Sequence, residues 1–171
     1  MSLLSLLTPT YSIASVMLLS PEICRSLHIN ALLLDIDNTL TTHNNPEPYI
    51  GLNRWVKTMQ QEGIRLIVVS NNRPPRVSAF AGRIGLPYMA RAAKPLPSAF
   101  RKTVKKFGCS PEHTAVVGDQ LLTDILGANL ARLPGILVTS ITPEHGQFFR
   151  FKRRIERKVL EKVGANIRPL S

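Results

Sequence analysis

Apolar and polar positions along this chain fall into blocks that read as short buried strands, each followed by an amphipathic helix. Pro21 opens a short helix through Leu27, because proline suits a first turn. Ile29–Asp35 then reads as a fully buried strand, an apolar run that ends abruptly in charge. Thr41–Pro48 is polar, carries Pro46 and Pro48, and predicts a loop. Gly51–Glu62 predicts a helix with Leu52, Trp55, Val56 and Met59 on one face, closed by Gly63. Ile64–Val69 is a second buried strand and runs into Ser70, Asn71 and Asn72. Pro74 and Pro75 begin a helix carrying Val77, Phe80, Ala81 and Ile84, which Gly85 stops. Leu86–Ala90 reads as a short strand, and Lys94 follows in a proline-bounded turn. Ser98–Phe107 predicts a helix with Phe100, Val104 and Phe107 inward and Arg101, Lys102, Lys105 and Lys106 outward. Thr114–Val117 is a strand that ends in Gly118 and Asp119, Leu121–Ala131 is helical, and Gly135–Val138 is the last clear strand. Strands alternating with helices in this way predict a parallel sheet with right-handed crossovers. The expected fold is therefore a three-layer α/β sandwich, Rossmann-like in kind.

The termini fit this picture less tightly. Met1–Leu19 is apolar but broken by Thr8, Pro9, Thr10 and Ser12, so no run approaches the ~20 apolar residues of a membrane span. The first basic residue is Arg25, which argues against a signal or transit peptide. We expect an N-terminal arm over about residues 1–20 that packs on the domain. At the other end, positions 148, 151, 155, 159 and 163 are apolar at helical spacing, while Arg150, Lys152, Arg153, Arg154, Arg157, Lys158 and Lys162 occupy the other faces. A basic helix over about 147–163 is predicted. Its stripe docks on the domain in the simpler reading; a basic amphipathic helix of this kind also lies on anionic bilayers.

At 171 residues the chain is expected to be a single domain over 1–171. Its formal charge of +11 suits anionic partners: phosphate esters, nucleic acid or acidic membrane. Cys24 and Cys109 lack metal-type spacing and read as inert thiols of a reduced, cytoplasmic compartment.

The chemistry collects where the predicted strands end. The first ends in Asp35 and Asp37, the second in Ser70 and Asn71, the turn after the third carries Lys94, and the fourth leads to Asp119 and Asp124. In a parallel sheet these ends share one edge. Carboxylates at that edge can hold a hard cation such as Mg²⁺ through oxygen, and Lys94, Ser70 and loop amides can hold a phosphate. Simpler readings exist for each residue: the aspartates as turn or cap residues, Ser70 as a turn residue, Lys94 as a surface lysine, Asp124 as a solvent-facing helix residue. Other sites fail on the same residues. An EF-hand loop starting at Asp35 would need glycine where Leu40 stands, no GxxxxGK[ST] exists, and no GxGxxG follows a strand. His28, His43, His113 and His145 show no ligand spacing and read as structural.

Four motifs in order, DIDNT at 35–39, Ser70, Lys94 and GDQLLTD at 118–124, resemble those of haloacid dehalogenase (HAD) superfamily phosphatases. Within that superfamily the chain resembles the bacterial YqeG family, subclass IIIA, in LLLDIDNTL, VVSNN, AAKPL, VVGDQLLTDILGAN and the basic FFRFKRRIERKVL tail. The resemblance spans roughly Leu7 to Leu160. It implies a Mg²⁺-dependent phosphatase in which Asp35 is the nucleophile and forms an aspartyl-phosphate, and Asp37 is the general acid and base. It implies metal ligation by Asp35, the Asp37 main-chain carbonyl and Asp119, with Asp124 ligating directly or through water. It further implies phosphate binding by Ser70, Asn71 and Lys94, and a loop oriented by Thr39.

The short gaps from Thr39 to Gly51 and from Ser70 to Lys94 leave no room for a cap domain, so a capless, open site is expected. Such a site suits phosphates on larger bodies. The YqeG family is similar to fungal and plant phosphatidylglycerophosphate phosphatases, which makes that lipid the favoured substrate and peripheral contact with an anionic membrane an expectation. A soluble phosphatase for a nucleotide, sugar phosphate or phosphoprotein is the alternative. A non-catalytic RNA-binding or adaptor protein is a third, disfavoured because a binding protein has no need of Asp35, Asp37, Lys94 and Asp119 together. No recognised module supports nucleic-acid binding.

Overall fold

The computed structural model describes residues 3–139, 159, 161–162 and 167–170. Seven parallel strands form one sheet in the order β4-β3-β2-β5-β6-β1-β7. In chain order these are β1 (Tyr11–Ile13), β2 (Ala31–Leu34), β3 (Arg65–Val69), β4 (Tyr88–Met89), β5 (Thr114–Gly118), β6 (Gly135–Val138) and β7 (Arg168–Pro169). The helices are α1 (Leu3–Leu6), α2 (Pro21–Ser26), α3 (Leu52–Gln61), α4 (Pro74–Arg83), α5 (Pro97–Lys106) and α6 (Leu126–Ala131). The three-layer, Rossmann-like arrangement read from the sequence is the arrangement found.

Strand β2 sits near the middle and every residue of it is buried. Its side chains alternate between two cores because successive residues in a strand point to opposite faces. Leu32 and Leu34 join the core beneath α2, α3 and α4, which includes Cys24, Trp55, Met59, Val77 and Phe80. Leu33 joins Ile67, Val69 and Val116 in the core beneath α5 and α6, with Phe100, Val104 and Ala128. The face expected of α3 is the buried one: Leu52, Trp55, Val56 and Met59. Gly63 follows α3 at φ +79°, a left-handed position that costs other residues but not glycine. Burial pushes the Cys24 thiol up to about 11, which leaves it inert.

Several elements differ from the sequence expectation. The strand read over Ile29–Asp35 pairs only over Ala31–Leu34, and the one read over Leu86–Ala90 only over Tyr88–Met89. Leu121–Ala131 is not one α-helix: Leu121–Ile125 is a wider π-helical turn, and α6 begins at Leu126. The N-terminal arm contributes a strand. Tyr11, Ser12 and Ile13 pair with Ile136, Leu137 and Val138. Only three residues pair, a run too short for alternation to announce a strand. Asn129 secures the arm by donating from Nδ2 to the carbonyls of Leu6 (2.7 Å) and Thr8 (3.0 Å). The basic helix expected over 147–163 falls outside the described residues except at Val159, Glu161 and Lys162. Val159 rests against Leu121, Ile125 and Leu137.

Both segments that could have held a cap are short. Residues 39–51 form a loop, and only α4 and the two-residue β4 lie between Ser70 and Lys94. No helix among the described residues is long and apolar enough to cross a membrane.

Gly127 lets α6 approach the turn after Lys94. A Cβ there would sit 2.5 Å from Phe100 Cε2 and 3.1 Å from the Pro95 carbonyl oxygen. Gly127→Ala is therefore expected to destabilise the fold by about 1–3 kcal/mol, seen as a lower denaturation midpoint. An unchanged midpoint would show that the two helices can part without cost.

Candidate active site

The carboxyl ends of β2, β3 and β5 and the turn after β4 meet at one edge of the sheet. Asp35 follows β2, where its main-chain N–H still bonds the Val117 carbonyl at 2.9 Å. Asp119 follows β5. Asp124 is carried back over the end of β5 by the π-helical turn, a geometry that recurs at functional sites. Gly118 makes the approach possible, since a Cβ there would lie 2.7 Å from the Asp124 Cβ. All three carboxylates are buried, and one oxygen of each lies within 4.8 Å of the others.

Lys94 reaches into this cluster. Its Nζ donates to Asp35 Oδ1 at 2.5 Å and to Asp124 Oδ1 at 2.6 Å. The turn that carries it is held by the Asn71 side chain. Asn71 Nδ2 donates to the Lys94 carbonyl at 2.9 Å, and the Lys94 N–H donates to Asn71 Oδ1 at 2.8 Å. The main chain adds Ala92 N–H to the Ser70 carbonyl and Arg91 N–H to the Asn72 carbonyl, both 3.0 Å. Ser70 is buried, and its Oγ accepts from the Asn72 N–H at 3.2 Å. Asn38, at φ +57°, donates from Nδ2 to Asp119 Oδ2 at 3.4 Å. Thr39 is buried beside it, and its Oγ1 has no hydrogen-bond partner among the described residues.

Asp37 faces elsewhere. Its carboxylate accepts from Arg76 Nη2 (2.5 Å), the Asn44 N–H (2.9 Å) and Asn72 Nδ2 (2.9 Å), and His43 Nδ1 lies 3.7 Å away. It is not one of the three clustered carboxylates. Among residues proposed as metal ligands, it could contribute only through its main chain.

The electrostatics divide along the same line. Burial pushes the Asp35 carboxyl up to about 7, against the pull of Lys94 and with Asp124 adding to the rise. Burial works to lower the Lys94 ammonium, but Asp124 and Asp35 outweigh it and hold Lys94 above its ordinary value. Burial also works to raise Asp37, yet the Arg76 hydrogen bond, the Asn44 N–H and Asn72 hold it below the usual carboxylate range. Three buried carboxylates around one ammonium leave an excess of negative charge. A divalent cation would offset it, and an all-oxygen donor set suits a hard ion.

The structure thus brings together Asp35, Lys94, Asp119 and Asp124, with Ser70 and Asn71 alongside. The sequence did not point to Arg76, to Asn72, or to the Asn71 side chain as the clamp on Lys94. Arg76 lies in the first turn of a proline-initiated helix just after the second strand end, and that position was the available signal. A carboxylate beside a lysine and a cation site is an arrangement that can attack phosphorus while the approaching charges are offset.

Comparison with known proteins agrees. A family model for haloacid dehalogenase-like hydrolases matches residues 44–132. The probable phosphatase YqeG of Bacillus subtilis (strain 168) is 34% identical over 152 residues, covering 89% of this chain and 88% of that protein. Among solved structures, a HAD superfamily (subfamily III A) hydrolase from Legionella pneumophila aligns with TM-score 0.54 at 17% identity, over 85% of this chain and 92% of that one. The 3-deoxy-D-manno-octulosonate 8-phosphate phosphatase of Moraxella catarrhalis, solved with magnesium, phosphate and its sugar, aligns with TM-score 0.50 at 19% identity, over 85% and 94%.

Two outcomes follow from this geometry. Mg²⁺ is expected to raise the melting temperature of the wild type in a thermal-shift assay and to leave Asp119→Asn nearly unmoved; equal shifts would place the ion elsewhere. Asn71→Ala frees both polar groups of the Lys94 main chain, and chemical denaturation should register a loss of about 1–3 kcal/mol.

Proposed function

This chain belongs to the haloacid dehalogenase-like hydrolases and is a phosphatase of that family, related to YqeG, and from that premise we propose that it hydrolyses phosphatidylglycerophosphate through an aspartyl-phosphate on Asp35. The observation that carries the reading is the buried contact of Lys94 with both Asp35 and Asp124 beside Asp119. Lys94 orients the Asp35 carboxylate and is placed to offset the charge of an incoming phosphate.

A divalent cation, Mg²⁺ in this reading, bound by Asp35, the Asp37 main-chain carbonyl and Asp119, with Asp124 direct or through water, supplies the positive charge that lets a carboxylate approach a phosphate dianion. The solved Moraxella phosphatase with magnesium and phosphate supports that choice of ion.

The residues then divide the work. An Asp35 carboxylate oxygen bonds to phosphorus as the bond from phosphorus to the alcohol oxygen breaks. Asp37 gives its proton to that oxygen and releases phosphatidylglycerol. A water then attacks phosphorus, Asp37 takes its proton, and the bond from Asp35 to phosphorus breaks to free phosphate. Ser70 Oγ and the Asn71 N–H hold the non-bridging oxygens. In the free enzyme Arg76 keeps Asp37 ionised. An anionic substrate beside Asp37 favours its protonated form and competes for the guanidinium, so proton donation becomes tied to an occupied site.

The testing experiment is phosphate release from phosphatidylglycerophosphate in mixed micelles with Mg²⁺. The wild type should release phosphate faster from the lipid than from soluble esters, and Asp35→Asn should lose about a thousandfold or more. Release only from a nucleotide or sugar phosphate discards the lipid and keeps the chemistry. A folded, Mg²⁺-binding protein that hydrolyses no ester would point to the non-catalytic reading.

A further inference from the structure

The three most exposed large apolar side chains among the described residues are Ile50 (99%), Leu18 (57%) and Leu96 (56%). All three stand on segments that leave the carboxyl ends of strands. Leu18 closes the 3-10 helix Val16–Leu18 after β1, Ile50 precedes the left-handed Gly51 that opens α3, and Leu96 is the N-cap of α5 after the Lys94 turn. Because every strand is parallel, these segments share the edge that carries Asp35, Lys94 and Asp119. Leu18 and Ile50 lie on the flank of the sheet covered by α2–α4, and Leu96 lies on the flank covered by α5 and α6. The apolar side chains therefore stand on both sides of the catalytic opening.

Among the described residues, the exposed charge on this edge that has no ion-pair partner is positive. Arg54 in the first turn of α3, Arg73 before α4 and Arg91 after β4 are exposed and form no ion pair among the described residues. The exposed acids on these segments among the described residues are already paired, Glu47 with Arg83 at 2.8 Å and Glu22 with Arg25 at 2.9 Å. Glu62 at the end of α3 and Glu112 before β5 lie at the opposite edge. Three exposed apolar side chains beside unpaired arginines on one edge suit contact with a surface that offers both apolar depth and negative charge. A surface of anionic lipid offers both complements: acyl-chain depth for the leucines and isoleucine, and phosphates for the arginines.

We propose that the carboxyl edge of the sheet is a bilayer-docking face, with Leu18, Ile50 and Leu96 entering the interface and Arg54, Arg73 and Arg91 binding headgroup phosphates, so that the open site faces the membrane plane. The proposal deepens the lipid-substrate reading and rests on it for its purpose. None of its six residues belongs to the basic tail.

The experiment is co-sedimentation of the full chain with vesicles of phosphatidylcholine, with and without phosphatidylglycerol. Asp35→Asn is used beside the wild type, so that binding is read without chemistry. Both should bind the anionic vesicles, and binding should weaken with salt. Replacing Leu18, Ile50 and Leu96 together by Ser should cut binding about tenfold or more at an unchanged melting temperature. Arg73→Ala with Arg91→Ala should also weaken binding and flatten its salt dependence. Vesicle binding that survives the triple replacement, no binding by the wild type, or a dimer that the triple replacement dissolves would each overturn the proposal. Vesicle binding without phosphatidylglycerophosphate hydrolysis leaves the face and removes the substrate. Hydrolysis in micelles without vesicle binding does the reverse.

Discussion

The interaction on which this structure depends is the buried ammonium of Lys94 set between Asp35 and Asp124. Charges this far from water are tolerated only when each has a partner in good geometry, and stranding one costs about 3–5 kcal/mol. Much of the local architecture serves that geometry. Gly118 gives Asp124 room, the π-helical turn swings it inward, Gly127 lets α6 close on the lysine turn, and Asn71 fixes the turn from the neighbouring loop. The balance is deliberately incomplete. With Asp119 added, the cluster carries more negative charge than one lysine can offset, an excess that would draw a cation, whose charge would in turn favour an incoming phosphate.

The parts of this site that were legible in the sequence are those whose meaning is local. Asp35 and Asp119 end buried strands, and a charge there is informative because a strand end in a parallel sheet is a known place. The core followed for the same reason: Leu52, Trp55, Val56 and Met59 repeat at helical spacing, and that face is buried. What could not be read depends on distance in the chain. Arg76 meets Asp37 only because β3, which leads into α4, lies beside β2, and Asn71 meets Lys94 only because β4 lies beside β3. No spacing rule encodes either contact. The strand Tyr11–Ile13 was illegible for another reason: its stability comes from pairing with β6, not from its own pattern.

The two ends of the chain are joined to the working part of the sheet. The arm pairs with β6, β7 pairs with the arm, and Val159 lies on Leu121 and Ile125 within the turn that carries Asp124. The π-helical turn is thus packed from outside as well as held by Lys94 from within. A turn with unusual hydrogen bonding needs such support, because its own backbone contributes less than an α-helical turn would.

An open site raises a problem that enclosed phosphatases solve with a cap. Asp35 and Lys94 are buried, so a phosphate must reach below the surface to meet them, and among the described residues no cap domain stands over them to hold the rest of the substrate. Binding energy used for orientation must then come from groups outside the pocket. Among the described residues the groups outside the pocket are the loops at the strand ends, which expose Leu18, Ile50 and Leu96. A substrate whose remaining mass lies in a plane would meet them all at once. A small soluble ester would meet none of them, and the buried site alone would have to align it.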